Sequence, residues 1–196
     1  MPTWPGKGIP QAAPGANIGF LKIWTIGHST RSWDDFLAVL KAHGIEAIAD
    51  VRRFPASRKH PQFNREAMER ALAAAGVEYR HFEPLGGRRP ARPDSLNTAW
   101  RNTSFRGYAD YMETPEYRRS EVSLISVAGR KRTALMCAES VWWHCHRGLI
   151  ADSLKARGWE VLHITDAAAP REHPYTGAAS VTDGRLSYAS GQQKLL

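Results

Sequence analysis

The side chains best suited to chemistry crowd into one stretch, Met136-Cys137-Ala138-Glu139-Ser140-Val141-Trp142-Trp143-His144-Cys145-His146-Arg147. Cys145 falls where a helix is expected to begin. Unpaired backbone N–H groups and the positive end of the helix dipole there favour a thiolate, and His146 and Arg147 push the same way. The same N–H groups can instead hold a phosphate or carboxylate. Cys137 closes an apolar run, so a small buried hydrophobe is an equally open reading for it, as it is for Cys145. Two known thiol signatures fail on counting. A phosphatase loop needs Arg six residues after its nucleophile, where Cys145 is followed by Ala151; a sulfur-transfer loop commonly has Arg five after its cysteine, where Cys137 is followed by Trp142.

Cys137, His144, Cys145 and His146 look like a ligand set, but there is no C-x-x-C pair. Adjacent residues on a helix point apart, so a tetrahedral site would need help from His28 or His163. No metal and no cofactor is expected. Glu139 and His28 join Cys145 as catalytic candidates, Glu139 for acid–base work. Ser29, Asp50, Arg52, Ser57, Gly86, Gly87, Cys137, His146 and Arg147 form the candidate anion-binding set, because arginine forks match phosphate oxygens and glycines admit a close anion. For Asp50 and Glu139, pairing with a neighbouring arginine to brace the loops is the competing reading. One of Trp142 and Trp143 is expected to face inward, leaving the other for a ring-shaped ligand.

The elements that must position these groups alternate. Strands are expected at Lys22–Gly27, Ala47–Val51, Val77–Phe82, Thr133–Cys137 and Trp159–Thr165. Between them, Ser32, Asn64 and Thr114-Pro115 read as helix starts, and Gly44, Gly76, Gly129 and Gly158 as stops. A short helix is expected near Phe105–Met112 and a longer one over Cys145–Arg157. The alternation predicts a three-layer α/β/α domain with a mostly parallel sheet over residues 21–166. It is preceded by a flexible leader (1–20) and followed by an irregular tail (167–196) with a possible hairpin at Asp183-Gly184. Ligands of open parallel sheets gather at the carboxyl ends of the strands, where His28-Ser29, Asp50-Arg52 and Cys137-Glu139 fall.

Charge narrows the partners. The 196 residues carry 27 Lys+Arg against 19 Asp+Glu, a net of +8. From Asp50 to Asp110 twelve basic residues face seven acidic ones, concentrated in Arg52–His60 and Leu85–Arg92. Such a surplus favours anionic partners, either a phosphate-bearing small molecule or nucleic acid. No run is long enough to cross a bilayer and no secretory pattern opens the chain, so a cytoplasmic protein with no membrane partner is expected. Two cysteines suit free thiols.

The chain resembles the domain-of-unknown-function 488 (DUF488) family. The resemblance rests on Thr25-Ile-Gly-His-Ser29, Asp50-Val-Arg52 with Pro55-Ala-Ser57, Phe63-Asn64, Leu85-Gly-Gly87, Phe105 with Tyr108-Ala-Asp-Tyr111, Met136-Cys-Ala-Glu139 and Cys145-His-Arg147, in the family's order. It implies a cytosolic α/β domain and leaves the reaction open. The leading expectation is an enzyme acting on a nucleotide or nucleic acid. The alternative is a non-catalytic nucleic-acid-associated module whose C-terminal Gln192-Gln-Lys-Leu-Leu196 docks on a partner, a peptide loosely similar to sliding-clamp-binding motifs. A redox sensor using both thiols is a third reading.

Overall fold

The computed structural model describes residues 21–190; the expected leader (1–20) and the docking peptide Gln192–Leu196 lie outside the described residues. Strands β1 (Lys22–Gly27), β2 (Ala47–Asp50), β3 (Glu78–His81), β4 (Thr133–Cys137) and β5 (Glu160–Ile164) pair in parallel in the order β3-β2-β4-β1-β5. A short β6 (Arg171–Glu172) adds antiparallel to β5. Helices α1 (Trp33–Ala42) and α2 (Arg65–Ala74) cover one face, and α3 (Thr103–Met112), α4 (Pro115–Ala128) and α5 (Arg147–Ala156) the other. The expected three-layer architecture is observed.

Period-2 alternation sorts the side chains between the layers. Trp24, Ile26, Ile48, Ala134, Met136 and Ile164 meet Phe36, Leu40, Met68 and Leu72 from α1 and α2. Ile23, Ala49, Leu135 and Val161 turn the other way, toward Tyr108, Tyr117, Leu124, Leu149 and Leu154. Caps fix the helix ends: the Ser32 hydroxyl accepts from the Asp35 N–H at 3.1 Å, and the Asn102 and Thr114 side chains accept the first amides of α3 and α4. Gly44 leaves α1 at φ +59°, a turn that L side chains resist.

The connections create a crevice. Chain order moves from β1 through α1 and α2 toward the β3 edge, then returns on the opposite face through α3, α4 and α5. Strand β4 therefore sits between β1 and β2, and its loop departs to the face opposite theirs. Such a switch point leaves a cleft at the carboxyl ends.

Beyond residue 166 the chain is more ordered than its composition suggests. Besides β6, a hairpin of β7 (Ser180–Thr182) and β8 (Arg185–Ser187) turns on Asp183 and Gly184, both at positive φ. The cause is a buried carboxylate. Asp152 of α5 accepts from His173 Nε2 and the Thr176 amide, both at 2.9 Å, from Thr176 Oγ1 at 2.5 Å and from Tyr188 Oη at 2.9 Å. An unpartnered buried carboxylate is costly, so this segment must fold onto α5. Among the described residues no helix is long and apolar enough to cross a membrane.

Candidate functional site

Three strand ends are stitched together at the crevice. The amides of His28 and Ser29 donate to the carbonyls of Cys137 (3.0 Å) and Ala138 (2.9 Å), and Val51 N–H donates to Met136 O at 3.0 Å. Gly27 permits this approach, since a Cβ there would stand 1.9 Å from the Glu139 carbonyl oxygen.

The thiols meet directly above this seam. Cys145 is extended (φ −132°, ψ 145°) and α5 begins only at Arg147. The expectation of a helix over Cys145 is therefore corrected, and with it the objection that neighbouring side chains must diverge. Cys145 Sγ lies 3.6 Å from Nδ1 of His146 and accepts from Arg147 N–H (3.5 Å) and Nε (3.4 Å). His146 is held by a 2.9 Å bond between Nε2 and the Val51 carbonyl, which puts the proton on Nε2. Both sulfurs are deeply placed, Cys145 at 4% and Cys137 at 7% exposure. Burial opposes ionisation of Cys145, but the bond from the Cys137 thiol and the neighbouring His146 and Arg147 outweigh it, holding Cys145 well below the usual thiol range. Cys137 moves the other way, pushed up by its bond to Cys145 and by burial.

Beside the thiols, the buried Asp50 carboxylate accepts from Arg52 Nε (2.9 and 3.1 Å), Arg52 Nη2 (2.5 Å), the Arg52 amide (3.0 Å) and Tyr79 Oη (2.7 Å). Arg52 Nη1 donates to the Phe63 carbonyl at 2.8 Å and faces His28 Nε2 at 3.3 Å. His28 stacks on Phe63 with ring centroids 4.2 Å apart and bonds Ser29 O through Nδ1. Burial, then the charge of Arg52, lowers its pKa to about 4, so His28 is neutral near pH 7.

These bonds redistribute the expected roles. Arg52 is consumed by Asp50 and loop carbonyls, and Arg147 by Cys145 and the Glu139 carbonyl (2.5 Å), so both arginines hold protein atoms. Ser57 ties its own loop, Oγ accepting from His60 N–H (3.0 Å) and its amide donating to Asn64 Oδ1 (2.6 Å). Gly86 N–H donates to Glu83 O, and a Cβ on Gly86 would meet Arg53 Cα at 2.6 Å. A Cβ on Gly87 would lie 2.9 Å from His146 Nδ1. The two glycines bring the basic loop against Arg53 and His146. Glu139 is exposed, and its carboxylate makes no hydrogen bond or ion pair among the described residues.

Cations on the surrounding loops remain uncommitted. Arg58, Lys59 and Arg88 are exposed and make no side-chain bond or ion pair among the described residues. Phe54 and Trp143 are exposed on the loops that follow the adjacent strands β2 and β4. Trp142 turns inward and stacks on His163 at 4.5 Å, with Trp143 edge-on to it. His163 bonds Thr25 Oγ1 (2.7 Å) and His173 Nδ1 (2.8 Å), continuing to Asp152. Burial, with His173 and Arg147 nearby, lowers the His163 pKa to about 3. This chain from Thr25 to Asp152, and the parts played by Tyr79 and Phe63, escape sequence reasoning because their partners are distant and carry no shared spacing. A hollow of about 1720 Å³ opens at the opposite, amino ends of β1 and β4, beside Lys22, Glu46 and Arg132; no cysteine or histidine lines it.

No curated protein and no solved structure matches the chain. The family model described as "Domain of unknown function DUF488" matches residues 32–154, which takes in α1 through most of α5 with Asp50, Cys137, Glu139, Cys145 and His146, and leaves out His28, His163 and His173. The chain belongs to the DUF488 family.

Proposed function

We propose that the chain is an enzyme acting on a phosphate-bearing ligand, a nucleotide or nucleic acid, at the crevice around Cys145. The observation that carries this reading is the convergence on Cys145 Sγ of Arg147 N–H, Arg147 Nε and His146 Nδ1 at 3.4–3.6 Å, at a fold switch point. Cys145 borders the apolar core, yet cationic and N–H partners of this kind favour the thiolate, the reactive form of the sulfur. Cys145 supplies the reactive sulfur and Glu139 the exposed carboxylate for proton transfer. The uncommitted Arg58, Lys59 and Arg88 take the phosphate role first assigned to Arg52. His28, neutral and beneath Arg52, acts as a support.

The test is turnover of a nucleotide and oligonucleotide panel by the wild-type protein, Cys145→Ala and Glu139→Gln. Conversion of one member that both variants lose supports the reading, and conversion that survives both removes it.

A non-catalytic nucleic-acid-associated module is favoured by one observation, the exposed Phe54 and Trp143 on the loops after β2 and β4, with Arg58 and Lys59 of the Phe54 loop unpaired among the described residues. In that reading rings stack on bases and cations contact phosphates, and binding falls steeply with salt without any conversion. Partner docking by Gln192–Leu196 belongs to the same reading, and deleting those residues tests it.

A further inference from the structure

We propose that Cys137, Cys145 and His146 form a zinc site with one position left for an exogenous ligand. This deepens the reading of the crevice as a catalytic centre and rests on it for what the metal would do, though not for whether the metal binds; with zinc present Cys145 is a metal ligand instead of a free reactive sulfur. Sγ of Cys137, Sγ of Cys145 and Nδ1 of His146 all lie within 4.8 Å of one another. They come from two elements, the end of β4 and the turn before α5, each anchored by its own backbone bonds. A tetrahedral zinc ion with sulfur at ~2.3 Å and nitrogen at ~2.05 Å spaces sulfur and nitrogen about 3.5 Å apart and two sulfurs about 3.8 Å. The Cys145–His146 edge, at 3.6 Å, already has that length. Even the widest pair must close by only about an ångström. Two thiolates and an imidazole select zinc over the hard cations magnesium and calcium.

The surroundings match what such ligands need. A metal-bound histidine usually donates its far N–H to a carbonyl or carboxylate, which fixes the ring. His146 does so through Nε2 to Val51 O at 2.9 Å, leaving Nδ1 aimed at the thiols. Cys145 Sγ receives two N–H donors from Arg147, which offset the negative charge of paired thiolates. Gly87 packs its backbone against the nitrogen ligand, where a Cβ would stand 2.9 Å from Nδ1, and so helps to hold the ring. Three protein ligands with an open fourth position is the pattern of catalytic rather than structural zinc. Glu139, two residues beyond Cys137, carries the nearest carboxylate along the chain that is unpaired among the described residues.

The experiment measures metal content of protein purified without chelator, then titrates the stripped protein with cobalt(II). About one zinc per chain is expected for wild type. Cys137→Ser, Cys145→Ser and His146→Ala should each lose most of it. A thiol variant can lose its fold, so the cobalt spectrum of the wild-type protein is an independent readout. It should show sulfur-to-cobalt charge transfer and the intense visible bands of tetrahedral cobalt, both displaced by zinc. Wild-type protein that is metal-free and gives no charge-transfer band overturns the proposal. So does a folded His146→Ala with full metal content, or a Cys137–Cys145 disulfide in place of the ion. If no metal binds while Cys145→Ala still abolishes turnover, the zinc site falls and the enzyme stands. Zinc bound without any turnover separates the two the other way.

Discussion

Nε2 of His146 and the carbonyl of Val51, 2.9 Å apart, join the turn before α5 to the end of β2 across β4. The bond sets the ring plane and thereby the position of Nδ1 beside Cys145. The crevice is thus built by backbone carbonyls that leave the strands at a switch point, and side chains are added to a frame already fixed.

Gly27→Ala tests the seam between β1 and β4. Its Cβ would strike the Glu139 carbonyl, which is backbone and cannot rotate away. A loss of about 1–3 kcal/mol is expected, seen as a lowered midpoint in urea unfolding. An unchanged midpoint would mean that the strand ends stand further apart than described.

Arg52 and the rim cations should separate cleanly. Arg52→Met leaves the Asp50 carboxylate buried without its partner, and a cost of about 3–5 kcal/mol is expected. Arg58→Glu, Lys59→Glu and Arg88→Glu should each change stability by no more than about 0.5 kcal/mol. Each should also weaken oligonucleotide binding and reduce the salt slope by about 0.7–0.9. Fluorescence anisotropy across a salt series measures this; equal slopes for wild type and all three variants would assign the phosphate contacts elsewhere.

How far the sequence reaches follows from the same residues. Strands and helices are legible because their apolar periods and caps are local: Ser32, Thr114 and Gly44 act where they stand. The convergence of Cys137, Asp50 and His28 on one edge is also legible, because parallel strands end together. The fate of Arg52 is not, since a basic loop residue reads alike whether its guanidinium meets solvent or a carboxylate two residues back. Cys145 meets His146 because the chain stays extended for one residue more than helix periodicity implies, a detail below the resolution of pattern. The order beyond residue 166 depends on Asp152, whose partners lie at least 21 residues away.

Acid should destabilise the fold through two buried imidazoles. His28 is lowered from 6.5 to about 4 and His163 from 6.5 to about 3, chiefly by burial. Unfolded chains therefore bind more protons than the folded protein below the ordinary histidine range. The contribution of each neutral ring is fully present above pH 6.5. It is lost as pH falls toward 4 for His28 and toward 3 for His163. Each loss amounts to a few kcal/mol. Urea unfolding at successive pH values should show stability rising with pH across that window, with a shallower slope in His28→Asn. A flat profile would contradict neutral burial of these rings.

Glu139→Gln keeps the shape of the rim and removes the carboxylate. A fall in turnover of about 10²–10⁴-fold is expected, with little change in ligand affinity or melting temperature. Steady-state kinetics on any converted panel member reads this, and undiminished turnover would strip Glu139 of its proton-transfer role.

The most direct measurement is mass-spectrometric detection of product from the nucleotide and oligonucleotide panel, comparing wild type with a folded Cys145→Ala. Conversion by wild type that falls at least about 100-fold in the variant is expected. Equal conversion by both proteins would contradict a functional centre at Cys145.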